Sequence, residues 1–161
     1  MIGRWRETLL ELLAASVSLA GCAQYRGVDT AAVADEVRKD ALALVADYNN
    51  GNAEAAAAQD APDYVGVFHG TPNTVGPAAD LAEMKAQMAA AKVRWDIGAG
   101  KVTVAKAGDM ALFEAPYTFT VTDPKGPTSR DSGTWIAIFR RQDDGRMKLW
   151  RSIGSDRPPA K

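Results

Sequence analysis

Ala111, Phe113, Ala115, Tyr117, Phe119 and Val121 occupy every second position of one stretch of chain. That period belongs to a β-strand with one buried face, because successive side chains of a pleated strand point to opposite sides. Such a strand needs neighbours and a layer over its apolar face. Strand patterns cover about 64–69, 93–105, 109–121, 131–142 and 146–154. Asp143-Asp144-Gly145 reads as a tight hairpin between the last two. Asp123-Pro124-Lys125-Gly126-Pro127 is a connection that neither helix nor strand tolerates.

The covering layer comes from helices placed ahead of most of the strands. Val33, Val37, Ala41, Leu44, Val45 and Tyr48 recur at helical spacing, with Asp35, Glu36, Arg38, Lys39 and Asp40 mainly on the other side. Asn49-Asn50-Gly51 ends this helix, and Asn52 caps a short Ala-rich helix over 53–59. Asp60-Ala61-Pro62-Asp63 reads as a turn and Gly70 to Pro77 as a loop. A third helix covers about 78–91, with Leu81, Met84, Lys85 and Met88 along one side. Helices first and then a run of strands predict an α+β domain of antiparallel sheet. Gly66, Gly98, Gly100 and Gly133 let that sheet bend sharply, and a bent sheet closed by three helices encloses a cavity.

The 161 residues suit one domain, and at 47% hydrophobic they can fill a core. With 19 basic and 20 acidic residues spread along the chain, no basic stripe marks a nucleic-acid face. No run of 18 or more apolar residues predicts a membrane-spanning helix. There is one histidine and one cysteine, without CxxC or HExxH, so neither a protein-only metal site nor a cofactor is expected.

The order of several short motifs resembles a known family. Val45-Ala46-Asp47-Tyr48-Asn49-Asn50-Gly51-Asn52, Gly108-Asp109-Met110-Ala111 and Asp131-Ser132-Gly133-Thr134-Trp135 are similar to landmarks of SnoaL-like and DUF4440 proteins. So are Arg140 to Leu149 around the hairpin and the tail Ser155-Asp156-Arg157-Pro158. The resemblance covers about 31–159 and implies an NTF2-like cone with three N-terminal helices on a strongly curved antiparallel sheet. It also implies a homodimer. Met147 departs from the pattern where the family carries tryptophan, and Trp150 is the candidate to supply that bulk. The fold hosts isomerases, dehydratases, hydrolases, cyclases and non-catalytic domains, so it implies no activity.

Residues 1–21 resemble a bacterial lipoprotein signal. Arg4 and Arg6 precede a mostly apolar Leu9–Ala20, and Leu19-Ala20-Gly21-Cys22 has the form of a lipobox. Glu7 and Glu11 are unusual in such a segment; an amphipathic N-terminal helix is the competing reading. The resemblance implies lipidation at Cys22, a tether over 22–30, and membrane attachment through the acyl chains alone. Ala23 lacks the inner-membrane retention signal of an aspartate, which points to an outer-membrane lipoprotein facing the periplasm.

Chemistry is harder to read. Ketosteroid isomerases share this fold and use a tyrosine, a general-base carboxylate and a protonated carboxylic acid. Those roles fall near Leu44, Phe68 and Ala137, none of which can perform them. His69, at a strand end by the cavity rim, is either an acid/base or a surface residue. Tyr48 offers a phenol to the cavity or is a satisfied core residue. Asp63 is a turn residue or a base; Glu114 is solvent-facing or a cavity group. Arg140 and Arg151 hold an anion or cross ion pairs on the outer sheet face. Tyr48, Phe68, His69, Trp95, Tyr117, Phe119 and Trp135 are the candidate ligand-binding residues.

Two readings follow. One is an envelope-anchored domain whose apolar cavity binds a small molecule, or which serves as a non-catalytic dimeric module, favoured because no acid/base set converges in the sequence. The other is an isomerase, dehydratase or hydrolase acting on a small apolar metabolite through His69 or Tyr48. A homodimer is expected through the open sheet face, carrying residues such as Trp135, Ile138 and Trp150.

Overall fold

The computed structural model describes residues 27–157. The expected signal sequence, Cys22 and the tail from Pro158 lie outside the described residues. Helix α1 (Thr30–Asn49) begins where the Asp29 carboxylate accepts from the Ala31 and Ala32 amides. It buries Val33, Val37, Ala41, Leu44, Val45 and Tyr48, the stripe read from its spacing. Gly51 follows at φ 75°, in the left-handed region that suits glycine after a helix. Helix α2 (Ala53–Ala57) is capped by the Asn52 side chain, which accepts from Ala55 N–H.

The strands are β1 (Asp60–Val67), β2 (Thr74–Val75), β3 (Lys92–Ile97), β4 (Lys101–Val104), β5 (Met110–Thr122), β6 (Thr128–Arg141) and β7 (Met147–Asp156), with helix α3 (Pro77–Ala90) between β2 and β3. They form one sheet in the order β2-β1-β7-β6-β5-β3, with β4 also paired to β5. The pattern read as one strand over 93–105 breaks at Gly98-Ala99-Gly100, and both pieces pair with β5. The sheet is mixed: β1 runs parallel to β7, while the other pairings are antiparallel. Asp60 to Asp63 is strand, not turn, with an irregularity between Asp60 and Val65 where exposed Pro62 cannot donate to a ladder.

Curvature has a local cause at Gly133. It pairs with Tyr117 on one side and Asp156 on the other, and a Cβ there would lie 2.1 Å from the Ser155 carbonyl oxygen. Only glycine permits that approach. The concave face presents Phe113, Ala115, Trp135, Ala137, Phe139, Met147 and Leu149 to α1, and this is the core. Met147 is buried among them, whereas Trp150 sits on the opposite face and does not supply the missing core bulk. Trp135 is also buried, at 1% exposure, so it does not belong to the open sheet face. That face alternates with the core: Leu112 pairs with Ile138, and Ile136 with Ile153.

Asn49 ties the end of α1 to β3. Its Nδ2 donates to the Trp95 carbonyl at 2.7 Å, and its Oδ1 accepts from the Trp95 amide at 2.7 Å. The clamp fixes both Tyr48 and Trp95, which meet edge to face at 5.8 Å.

Candidate functional site

Between α1, α3 and the concave sheet lies a cavity of about 220 Å³. This is below the ~300–1,000 Å³ typical of drug-sized pockets, so its occupant must be compact. One wall is aromatic. Trp95 packs on Trp135 at 4.6 Å, and Phe119 lies 6.0 Å from Tyr48. Leu44, Tyr117 and Leu149 extend this wall. The Trp135 indole donates to Ser152 Oγ at 2.9 Å inside the protein, so its polar edge is satisfied.

The other wall is polar and comes from α3 and β1. Asp80, Glu83, Met84 and Gln87 line the cavity at helical spacing. Of Leu81, Met84, Lys85 and Met88, the side singled out in the sequence, Met84 lines the cavity. Asp80 is the only buried residue of this helix, and Lys85 is exposed in an ion pair with Glu54. Hydrophobicity gives no sign of this face, because its stripe carries polar groups that bond to one another and to Tyr48 and Thr74 beside the cavity.

Those groups form two sets. In the first, Tyr48 Oη donates to Gln87 Oε1 at 2.6 Å, Gln87 Nε2 donates to Glu83 Oε1 at 3.2 Å, and Thr74 Oγ1 donates to Glu83 Oε2 at 2.5 Å. Glu83 is thereby satisfied on both oxygens. Burial raises the Tyr48 hydroxyl above its ordinary range, with Glu83 and Asp80 adding to the effect. Tyr48 is therefore a neutral donor already engaged, not a ready proton source.

The second set is a buried carboxyl pair, Asp60 on β1 and Asp80 on α3, each 6% exposed. Both Asp60 oxygens and Asp80 Oδ2 lack a hydrogen-bond partner when the carboxyls are ionised. A proton held between them supplies the missing donor. Burial first, then the Asp80 charge, pushes Asp60 well above the usual carboxylate range, and Lys148 opposes this weakly. Asp80 is raised less: burial acts first, while Tyr64 and Asp60 pull it back. The Tyr64 phenol is raised by burial and by both aspartates. The pair titrates as one unit that retains a proton beyond the pH at which ordinary aspartates are ionised.

Asp60 and Asp80 went unrecognised in the sequence, where Asp60 reads as a turn and Asp80 as a first-turn helix residue. The available signal was the polar stripe Asp80, Glu83, Gln87 at helix spacing. Their meeting overturns the expectation that no acid/base set converges.

All of Tyr48, Phe68, His69, Trp95, Tyr117, Phe119 and Trp135 lie on the cavity wall. Phe68 and His69 are exposed, just past the end of β1, at the rim. No hydrogen bond joins His69 to Tyr48 among the described residues. Tyr117 donates to Asp156 on the same wall. Of the three positions compared with ketosteroid isomerases, Leu44 and Phe68 face the cavity and Ala137 is buried in the core.

The remaining candidates are elsewhere. Glu114 is exposed, opposite Phe113 and Ala115, and is no cavity group. Asp63 is not a local turn residue. It accepts from Arg140 at 2.6 Å and from the Trp150 indole at 2.9 Å on the outer sheet face, while Arg151 donates to its carbonyl oxygen. Arg140 and Arg151 also lie over the Trp150 ring, at 4.9 and 3.9 Å. No group of three or more His, Cys, Asp or Glu side chains among the described residues could hold a metal ion.

No family model and no curated protein matches the chain. Solved structures do. An NTF2-like protein with a cystatin-like fold from Novosphingobium aromaticivorans is 20% identical, at a TM-score of 0.67, over 81% of this chain and 86% of that one. An NTF2-like superfamily protein from Salmonella enterica serovar Typhimurium is 16% identical, at a TM-score of 0.69, over 82% and 94%. A ketosteroid isomerase-like protein from Erwinia carotovora atroseptica is 18% identical, at a TM-score of 0.66, over 78% and 97%. The chain has the NTF2-like fold: an α+β cone of three helices packed on a curved mixed sheet.

Proposed function

We propose that this chain is a DUF4440-type, envelope-anchored domain that binds a compact small molecule in its cone. The observation carrying this reading is the cavity itself, open space with an aromatic wall facing a polar one. A domain with no occupant to hold has reason to fill such space with side chains, because packed interiors leave few voids. Native mass spectrometry of the purified domain tests it. A stoichiometric co-purified molecule, displaced on unfolding, is the expected result; an empty protein that takes up nothing from a panel of small aromatic compounds counts against it.

Anchoring rests on the Leu19-Ala20-Gly21-Cys22 box. A Cys22→Ala variant should leave the membrane fraction, and a wild-type chain found soluble with Met1 intact would sink this part. Dimerisation rests on Leu112, Ile136, Ile138 and Ile153, which share the outer sheet face. Light scattering at micromolar concentration should give twice the domain mass.

One observation favours the enzyme reading as a second possibility: Asp80 brings a proton-sharing carboxyl pair to the cavity wall. Such a pair can take a proton from a bound molecule and return it, as an isomerase, dehydratase or hydrolase requires. In this reading the proton handling moves from His69 and Tyr48 to Asp60 and Asp80, with Tyr48 and His69 contacting the ligand.

A further inference from the structure

The charge balance of the cavity wall is one-sided. Asp80, Glu83, Asp131 and Asp156 line it, and no lysine or arginine does so among the described residues. The chain does not lack cations. Its described ion pairs involve Arg38, Lys85, Arg94, Arg140 and Arg146, and none of these residues lines the cavity. Two of the four carboxylates have donors of their own: Glu83 from Thr74 and Gln87, and Asp156 from Tyr117. Asp131 is exposed at the rim. Asp80 is different. It is more than nine-tenths buried, it lines the cavity, and its Oδ2 has no partner.

The same cavity is lined by the rings of Tyr48, Trp95, Phe119 and Trp135. Aromatic faces attract a cation and do nothing comparable for an anion, and their attraction grows once water is excluded. A buried carboxyl whose Oδ2 depends on a shared proton, in a cavity lined with aromatic rings, is a site for a positively charged group on an apolar body.

Resting on the small-molecule reading above, we infer that the cavity selects an organic cation, a protonated amine attached to a compact apolar or aromatic body, with Asp80 as its counter-ion. Entry of the ammonium group does the work that the shared proton does in the empty site, so binding displaces that proton. The groups acting on Asp80 fit this exchange. Asp60 and Tyr64 face it from β1, Glu83 from its own helix and Tyr48 from α1. Among the described residues, the cation acting on the pair is Lys148, which bears on Asp60 from β7 while its own ammonium group donates to the Ala58 carbonyl. His69 stands exposed at the rim. Affinity for a cation should therefore rise with pH as the pair gives up its proton.

Three probes of one shape separate the outcomes: 2-phenylethylammonium, neutral 2-phenylethanol and anionic 3-phenylpropanoate. Trp95 and Trp135 line the cavity, so tryptophan fluorescence reports occupancy of the full-length protein. The expected result is binding of the ammonium at least ~10-fold tighter than the alcohol, which at ~1.4 kcal/mol per decade is what one charge-assisted hydrogen bond supplies. The anion should not bind measurably. Calorimetry at pH 7 in two buffers of different ionisation enthalpy should show proton release with the ammonium and none with the alcohol. Asp80→Asn should abolish the preference for the ammonium and leave alcohol binding within about twofold, because its amide keeps the shape. Glu83→Gln, at a carboxylate already satisfied, should keep the preference for the ammonium; should Asp80→Asn not fold, proton release on ammonium binding to the unsubstituted protein carries the test, and its absence overturns the inference. Alcohol bound as tightly as the ammonium, or an ammonium preference surviving Asp80→Asn, overturns the inference while leaving the small-molecule reading intact. Failure of all three probes overturns the inference too, and the co-purified molecule then decides the small-molecule reading separately.

Discussion

Asp60 and Asp63 stand three residues apart on β1 and have opposite fates. Asp63 points to the outer face, where it meets Arg140 and the Trp150 indole. A little desolvation pushes its carboxyl up, but the Trp150 hydrogen bond and the Arg140 charge outweigh this and hold it below the ordinary range. Asp60 points inward, meets another carboxyl, and is pushed far up. The outer cluster is complete in itself: acid, guanidinium groups and indole satisfy one another. The inner cluster is incomplete, and a missing positive charge is what a ligand can supply. Self-sufficiency marks the structural site and deficiency the candidate functional one.

The most severe way to break the contrast is to remove the inner aromatic wall. Trp135→Ala should cost ~3–5 kcal/mol in denaturant unfolding, through lost transfer energy and the void left behind. A loss below ~1 kcal/mol would mean that Trp135 is not packed as described.

Asp60→Asn should act in the opposite direction. The folded-state pKa is raised, so the folded protein holds its proton more tightly than the unfolded chain does. The group's contribution to stability is fully present below the unfolded value of 3.8 and is lost as pH rises through the folded value of about 8. Replacing the acid by a neutral amide should therefore stabilise the protein at pH 8, on the order of 1–3 kcal/mol. The gain should vanish near pH 4. Thermal melts of both proteins across this range check the sign; a variant less stable at pH 8 would show that the pair is not strained by its charge.

Tyr48→Phe sharpens the comparison within the inner wall. It removes the donor to Gln87 and should cost about 1 kcal/mol by urea titration, the net worth of one partly buried hydrogen bond. The smallest effect belongs to the outer cluster. Asp63→Asn breaks a half-exposed ion pair and should change stability by less than ~1 kcal/mol, with the difference shrinking further in 1 M salt. A larger loss there would erase the distinction between the two faces.

The fold was legible because its signals are apolar and periodic. The α1 stripe from Val33 to Tyr48 and the alternation from Ala111 to Val121 both come from burial, which selects hydrophobic residues at a fixed spacing. The aromatic wall was legible for the same reason. The polar wall was not, because Asp80, Glu83 and Gln87 belong to no apolar stripe. A carboxylate facing a cavity and one facing water look alike until the partner strand is placed, and Asp60 lies outside the alternating stretch. Trp150 failed differently: period predicts that it alternates with Leu149, but not which neighbour is core, and Met147 and Leu149 took that role.

The parallel pairing of β1 with β7 has a consequence in time. Asp60 is made well before its strand partner Leu149, with the rest of the sheet between them in sequence. Until β7 arrives, β1, with β2 alongside it, has no neighbour across its other edge, and the strand that carries Asp60 has no fixed seat in the sheet. Closing so long a loop is slow compared with forming helices or hairpins. The cavity is therefore the last part of the domain to exist. A chain cut short before Met147 would lose not one strand at an edge but the seam that joins β1 and β2 to the rest of the sheet.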